Sequence, residues 1–294
     1  MKEIKTMESK FELEKWFKSC LRLVKVNWIQ LVYISIIATG IFVGGVYFLL
    51  QELQPLILEL INKPDNYEAF FIKVLIKLSS FFIIYLLYMA FIDLFIIHLT
   101  SQWYTGVKLS IEKTVIKALS AMPLAIILEI VYILMAFIAS MFCFFPVIFV
   151  IVYFLFIFQA LIIEEKGLGS FGRSIDIVKK SFGNFLVIPF IIGFVFQFIF
   201  SFPLSFISIP IDILDLFSNN TDTINTGDVE KMNPADLVDL IFNSPYTIPI
   251  IGVVFLFLIL QSNLKSFLYT VAFEEARKDR STEQAGIIKE DKFS

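Results

Sequence analysis

The stretch ALSAMPLAIILEIVYILMAFIASMFCFFPVIFVIVYFLFIFQALII, residues 118–163, contains a single charged side chain, Glu129. As one helix it would be about twice as long as the ~30 Å hydrocarbon core of a bilayer is thick. The stretch must therefore fold back on itself, and residues 140–146, which end in Pro146, are the predicted position of the turn. Two membrane spans in direct succession decide the fold class.

Four more apolar runs flank this pair, in a chain of 294 residues that is 58% hydrophobic and only 17% charged. Backbone groups in lipid must be hydrogen-bonded internally, and the runs lack the alternation of a membrane barrel, so we expect helices. The prediction is an all-α, polytopic integral membrane helical bundle with six transmembrane helices. The predicted spans are 28–50, 78–97, 118–141, 142–163, 185–209 and 247–271.

Lysine and arginine are concentrated in alternate connections. The segment before the first span, the connections at 98–117 and 164–184, and the tail after 272 together hold nineteen of the 24. Basic residues favour the cytoplasmic side, so both termini are predicted to be cytoplasmic, in a multi-pass protein of the cytoplasmic membrane. The predicted domains are a cytoplasmic amphipathic segment at 1–27, a transmembrane domain at 28–271 with an outer loop at 210–246, and a cytoplasmic tail at 272–294.

Two basic segments have the pattern of amphipathic helices at the membrane interface. Residues 11–25 place Trp16, Phe17, Cys20, Leu21 and Val24 opposite the basic side chains, and residues 173–182 repeat the pattern. Basic side chains near an anionic leaflet are attracted by about 1 kcal/mol each, so they are candidates for binding lipid headgroups, although the pattern favours simple membrane anchoring. The candidates are Lys18, Arg22, Lys25, Arg173, Lys179 and Lys180.

These segments also suggest an internal repeat. LRLVKVNW at 21–28 aligns with IDIVKKSF at 175–182, and LIIEE at 161–165 with VAFEE at 271–275. The pattern favours three helical hairpins, each introduced by a short amphipathic helix, although chance similarity between apolar segments is the alternative.

Ionisable groups inside the spans are costly and are therefore functional candidates. The intramembrane polar candidates are Asp93, Glu129, Gln159 and Lys265. Asp93 and Lys265 lie at similar predicted depths, so one hypothesis is an ion pair in a polar layer that includes Gln159. The alternative is that Lys265 extends to the interface and Asp93 is satisfied locally. Glu129 lies nearer the midplane, where it would serve either a proton-coupled carrier or a helix interface.

The other motifs do not indicate an enzyme. Gly167, Gly169 and Gly172 match G-x-G-x-x-G, but a membrane span precedes them instead of a strand, so they predict a bend and not a nucleotide site. Glu164 and Glu165 point about 100° apart on a helix, which favours pairing with basic neighbours over acid–base catalysis. One histidine and two distant cysteines provide no metal site, so no cofactor is expected, and the net charge of −3 gives no case for nucleic acid.

The segment FQALIIEEKGLGSFGRSIDIVKKSFGNFLVIPFIIG, 158–193, resembles six-span proteins. This group includes the membrane domain found ahead of some glycerophosphodiester phosphodiesterases. It also includes the related uncharacterised YciC-like proteins. The likeness consists of a span ending in an acid, a small-residue turn, Arg173 and Ser174, and a basic amphipathic helix. It implies a polytopic membrane domain without the catalytic barrel of the fused relatives, since about twenty residues follow residue 272.

The sequence therefore favours a non-catalytic membrane module that interacts with lipids or assists a membrane protein partner. The competing hypothesis is a small carrier or export protein whose path passes Asp93, Glu129 and Lys265. The substrate and the oligomeric state stay open.

Overall fold

The computed structural model describes residues 11–62, 67–142, 144–207 and 247–290, and all regular structure in these ranges is helical. The outer loop predicted at 210–246 lies outside the described residues. Short 3₁₀ turns at Gly167–Gly169 and Lys179–Ser181 flank the sixth helix. The helices are α1 (Leu13–Asn62), α2 (Tyr67–Thr105), α3 (Ile111–Met141), α4 (Phe144–Tyr153), α5 (Ile157–Ile163), α6 (Ser170–Val178), α7 (Phe182–Ile207) and α8 (Thr247–Glu290).

Within the described residues, six stretches are long and apolar enough to cross a membrane, which agrees with the predicted number and is compatible with a multi-pass membrane protein. Large apolar side chains on them, such as Phe71 and Phe194, stay about three-quarters exposed. Such surface is typical of helices that face lipid. The stretches are Leu13–Ile61, Phe70–Thr105, Ile111–Met141, Pro146–Ile163, Gly167–Phe194 and Ile248–Lys278.

The first helix begins much earlier than the predicted span at 28–50. α1 is continuous over 50 residues, so the predicted amphipathic segment is its first part and not a separate helix. Residues 13–39 contain neither glycine nor proline, so nothing in the sequence breaks the helix. Among the described helices, only the third of the three predicted hairpins begins with a separate short helix, α6, and the repeat stays a prediction.

The connections between helices follow local backbone rules. α2 ends at Thr105, and Gly106 takes the left-handed conformation (φ 70°) that ends many helices. α3 begins after Ser110, whose hydroxyl accepts the Lys113 N–H at 3.4 Å. α3 ends at Met141 and α4 begins at Phe144, which confirms the predicted fold-back at 140–146.

The chain divides into two compact units. Unit 1 consists of Met1–Leu31, Met89–Phe194 and Ser262–Ser294, and unit 2 of Val32–Tyr88 and Val195–Gln261. In unit 2, the buried Phe42 ring contacts Tyr85 and Phe255, with ring centroids 5.0 and 4.2 Å away. The Tyr88 hydroxyl donates to the carbonyl of Ala38 at 2.6 Å. An aromatic cluster therefore joins α1, α2 and α8 within this unit.

The core of unit 1 is built around Phe156. Its ring packs edge-on against Phe185 of α7 at 5.2 Å and against Phe273 of α8 at 5.7 Å, and all three side chains are fully buried. The Trp16 indole N–H donates to the carbonyl of Leu268 at 3.2 Å, which fixes the start of α1 against α8. The Phe11 N–H donates to the Ser181 hydroxyl at 3.1 Å. This hydrogen bond places the start of α7 beside the start of α1.

Candidate functional site

The intramembrane carboxylate of Asp93 is held by hydroxyl groups of α8. Ser262 donates to Asp93 Oδ1 at 3.0 Å and Ser266 donates to the same oxygen at 2.8 Å. The serines are four residues apart, so they lie one above the other on one face of the helix. Two hydroxyl donors thus stabilise this carboxylate where α2 meets α8 in unit 1.

Lys265 does not form the hypothesised ion pair with Asp93 within the described ranges. Its ammonium lies 5.9 Å from the centre of the Tyr269 ring, within the range of a cation–π contact, and its side chain is exposed. Ser262 and Ser266 thus occupy the position beside Asp93 that the hypothesis assigned to Lys265. Lys265 is still close enough to interact electrostatically with Asp93.

Glu129 of α3 lies beside the same group. Its charge interacts with that of Asp93, and its side chain is exposed at the surface of unit 1. Tyr132, one turn further along α3, is close enough to Tyr269 of α8 for an electrostatic interaction. The structure therefore brings three of the four intramembrane candidates together, in a polar cluster of Asp93, Glu129, Tyr132, Ser262, Lys265, Ser266 and Tyr269.

Gln159, the fourth intramembrane candidate, lies on α5 and is only 3% exposed. Its side-chain oxygen accepts no hydrogen bond from any described residue, and the Thr100 hydroxyl is likewise without a partner there. No hydrogen bond joins Gln159 to Asp93 or Lys265 in the part of the chain that the structure describes. The polar layer expected to unite these residues is thus not formed by direct contacts of Gln159.

The fourth span, predicted as one helix at 142–163, is interrupted. α4 ends at Tyr153 and α5 begins at Ile157. The Ser174 hydroxyl accepts the Phe156 N–H at 3.0 Å and donates to the Tyr153 carbonyl at 2.7 Å. A break in a membrane helix is tolerated when neighbouring groups satisfy the freed backbone atoms, and Ser174, which is fully buried, does so here.

The acids that end the fourth span form ion pairs, as predicted. Glu164 receives two hydrogen bonds from Arg173, and both side chains are largely buried. Glu165 pairs with Lys117 at 2.8 Å. The hydrogen bond from Lys117 and then its positive charge lower the pKa of Glu165 below the usual value of 4.5.

The corresponding acids of α8, just after the predicted sixth span, are also engaged. Glu274 accepts a hydrogen bond from Ser101 and pairs with Arg277 at 2.7 Å, while Glu275 accepts one from Ser19. Glu274 thus pairs with a basic neighbour, as Glu164 and Glu165 do. The serine partners were missed, because a lone serine in an apolar run carries no sequence signal.

The headgroup candidates have different environments. Lys18 pairs with Glu14 at 2.5 Å and Lys179 with Asp176 at 2.7 Å, in addition to the Arg173 pair described above. The remaining candidates, Arg22, Lys25 and Lys180, are exposed.

The part of the chain that the structure describes contains no group of three or more metal-binding side chains. Comparison with known proteins gave no matching family model, no matching curated protein and no matching solved structure.

Proposed function

We propose that this chain is a non-catalytic membrane module that associates with anionic lipid through its basic end, at the cytoplasmic face of the cytoplasmic membrane. The resemblance to the membrane domain of the phosphodiesterase and YciC-like group is consistent with this role. A partner protein in the membrane is compatible with the same surface.

The surface of the first turns of α1 carries the proposal. Phe17, Leu21 and Trp28 are each more than half exposed. Arg22 and Lys25, in the same turns, are exposed as well. Exposed apolar and basic side chains on one stretch of helix match the boundary between acyl chains and anionic headgroups.

α6 supports the same interpretation. Ile177 and Val178 are buried, whereas Asp176, Lys179 and Lys180 are exposed around the joint between α6 and α7. The bidentate pairing of Glu164 with Arg173 supports a structural role for this acid at the turn between α5 and α6.

Native mass spectrometry of the delipidated protein, incubated with equal amounts of phosphatidylglycerol and phosphatidylcholine, tests the proposal. We expect phosphatidylglycerol adducts to outnumber phosphatidylcholine adducts. Replacing Lys18, Lys25, Lys179 and Lys180 together by glutamine should reduce that excess and leave phosphatidylcholine binding unchanged. Equal binding of the two lipids by the wild type would refute the proposal.

The polar cluster around Asp93 favours a second candidate function, a proton- or cation-coupled carrier. A carboxylate held by two serines, with Glu129 and Lys265 in electrostatic range, is a group whose protonation could follow ion binding. In proteoliposomes loaded with a pH-sensitive dye, a sodium or potassium gradient should then drive proton flux through the wild type. Asp93→Asn should abolish that flux, and an unresponsive wild type would remove this candidate.

A further inference from the structure

A pocket of about 270 Å³ lies between α1 and the end of α2 in unit 1. Pockets that enclose whole drug-sized ligands have roughly 300–1,000 Å³, so this one suits a headgroup whose chains stay outside. It is lined by Arg22, Leu23, Val26, Asn27, Trp103 and Tyr104.

The lining offers donors that nothing in the described ranges occupies. No described acid forms an ion pair with the Arg22 guanidinium, and no described residue accepts a hydrogen bond from the Trp103 indole N–H. Two acids outside the lining interact with Tyr104: Glu275, which accepts hydrogen bonds from Ser19 and Tyr104, and Glu274, which pairs with Arg277. Arg22 therefore brings to this pocket a positive charge that no described acid neutralises in an ion pair.

The walls of the pocket are held in place by contacts with one another and with α8. The Trp103 ring packs on Phe267 of α8, with centroids 6.4 Å apart. The Asn27 amide donates to the Leu23 carbonyl one turn earlier at 3.0 Å, and both side chains are buried. A preorganised wall lowers the cost of ordering side chains when a ligand binds.

The surroundings distinguish a lipid from a free anion. Val26 lines the pocket and is 72% exposed, and Ile29, three residues further along α1, is 63% exposed. These side chains continue from the pocket along the apolar stretch Leu13–Ile61. A phosphate bound at Arg22 would thus have apolar surface beside it for acyl chains.

We propose that the pocket lined by Arg22, Trp103 and Tyr104 is a specific site for the phosphate of one anionic phospholipid, whose acyl chains lie along Val26 and Ile29. This inference rests on the proposed association with anionic lipid and deepens it by naming the site. The guanidinium donates to phosphate oxygens in the two-pronged geometry that arginine favours, and the indole N–H supplies a further donor.

Titration of the purified protein with phosphatidylglycerol, followed by native mass spectrometry, tests the site. The wild type should retain one phosphatidylglycerol adduct at lipid concentrations too low for the others. Arg22→Gln should weaken that adduct roughly ten- to a hundredfold, as expected for the loss of charge-assisted hydrogen bonds. Arg22→Lys should give an intermediate affinity, because the charge stays and the two-pronged geometry is lost.

Lys166→Gln is the control, since Lys166 is exposed, does not line the pocket and is not one of the headgroup candidates. It should leave the first adduct intact. Thermal unfolding of each variant in detergent separates lost binding from lost folding, and Trp103→Phe, which keeps a ring against Phe267, provides a second variant that should weaken the adduct.

The outcomes are distinct. Equal effects of Arg22→Gln and Lys166→Gln would overturn the site and leave the general association with anionic lipid standing. Equal binding of neutral and anionic lipid by the wild type would overturn both. Displacement of the first adduct by inorganic phosphate at matched concentration would identify a free-anion site and contradict the lipid assignment.

Discussion

The Arg173 guanidinium lies against the Glu164 carboxylate in a two-pronged contact, with Nε 2.6 Å from Oε2 and Nη2 2.7 Å from Oε1. The contact joins α6 to the end of α5 across a turn in which Glu165 and Gly167 both have positive φ, 54° and 56°. It therefore fixes a bend that the local backbone does not favour on its own.

Breaking this pair from either side should destabilise the protein. Arg173→Gln leaves Glu164 largely buried without its counter-ion, and Glu164→Gln leaves the arginine in the same situation. A double-mutant cycle, measured by unfolding in mixed detergent micelles, should give a coupling energy of about 1–3 kcal/mol. Arg173→Lys should retain only part of the coupling energy. A coupling energy near zero would show that the contact does not stabilise the protein.

Ser174→Ala should cost about 1–3 kcal/mol in the free energy of unfolding, because it leaves the Phe156 N–H and the Tyr153 carbonyl without their partner. Ser120→Ala is the control, since that hydroxyl is exposed and bonds only to its own helix. The control should stay within about 0.5 kcal/mol of the wild type. Equal effects of the two substitutions would contradict the role given to Ser174.

Trp16→Phe should reduce stability by about 1 kcal/mol or more, because it removes the hydrogen bond to Leu268 and part of a buried ring. Trp16 is 3% exposed, whereas Trp28 on the same helix is 54% exposed. The same substitution at Trp28 should therefore be nearly neutral in detergent. The unfolding midpoints of the two variants provide the comparison, and a larger loss at Trp28 would count against the observed packing of α1.

The Glu165–Lys117 pair predicts a dependence on pH. Because the pKa of Glu165 is lowered in the folded state, its stabilising contribution is present above the unfolded value of about 4.5 and is lost as the pH falls through the lowered folded value. The wild type should be more stable than Glu165→Gln at neutral pH, and the two should converge in acid. Lys117→Gln should show the same convergence, and a gap that persists in acid would rule the pair out as its source.

Membrane orientation can be tested by labelling single cysteines in a background without Cys20 and Cys143. Gly172 is a suitable position because it is exposed and no atom lies within 4 Å of an added Cβ. We expect Gly172→Cys to react with an impermeant thiol reagent only after the cells are opened, and Lys73→Cys to react in intact cells. The opposite pattern would reverse the proposed topology.

Hydropathy was sufficient to predict six apolar helices and the fold-back between Met141 and Phe144, because both depend on run length and on Pro146. The break after Tyr153 was not predictable in this way. Residues 154–156 contain neither glycine nor proline, and the group that stabilises the break, Ser174, lies in the next helix of the chain.

The sequence predicted an apolar face at the start of α1 but not which of its residues pack on the protein. The structure buries Trp16, Cys20, Leu23 and Asn27 and leaves Phe17 and Leu21 exposed. A helix that is apolar on its lipid side as well as its protein side has weak periodicity, so the pattern does not identify the packed face. Similarly, the charge of Asp93 identified it as an intramembrane candidate. Its partners, Ser262 and Ser266, have no sequence feature that separates them from other serines.

The interruption at 154–156 also has a consequence for the lipid around the protein. The stretch Pro146–Ile163 has 18 residues, which would cover about 27 Å even as an unbroken straight helix. That length is a few ångströms less than the ~30 Å of an average hydrocarbon layer. Hydrophobic mismatch at this span should therefore thin the bilayer locally, and the protein should partition towards membranes with shorter acyl chains.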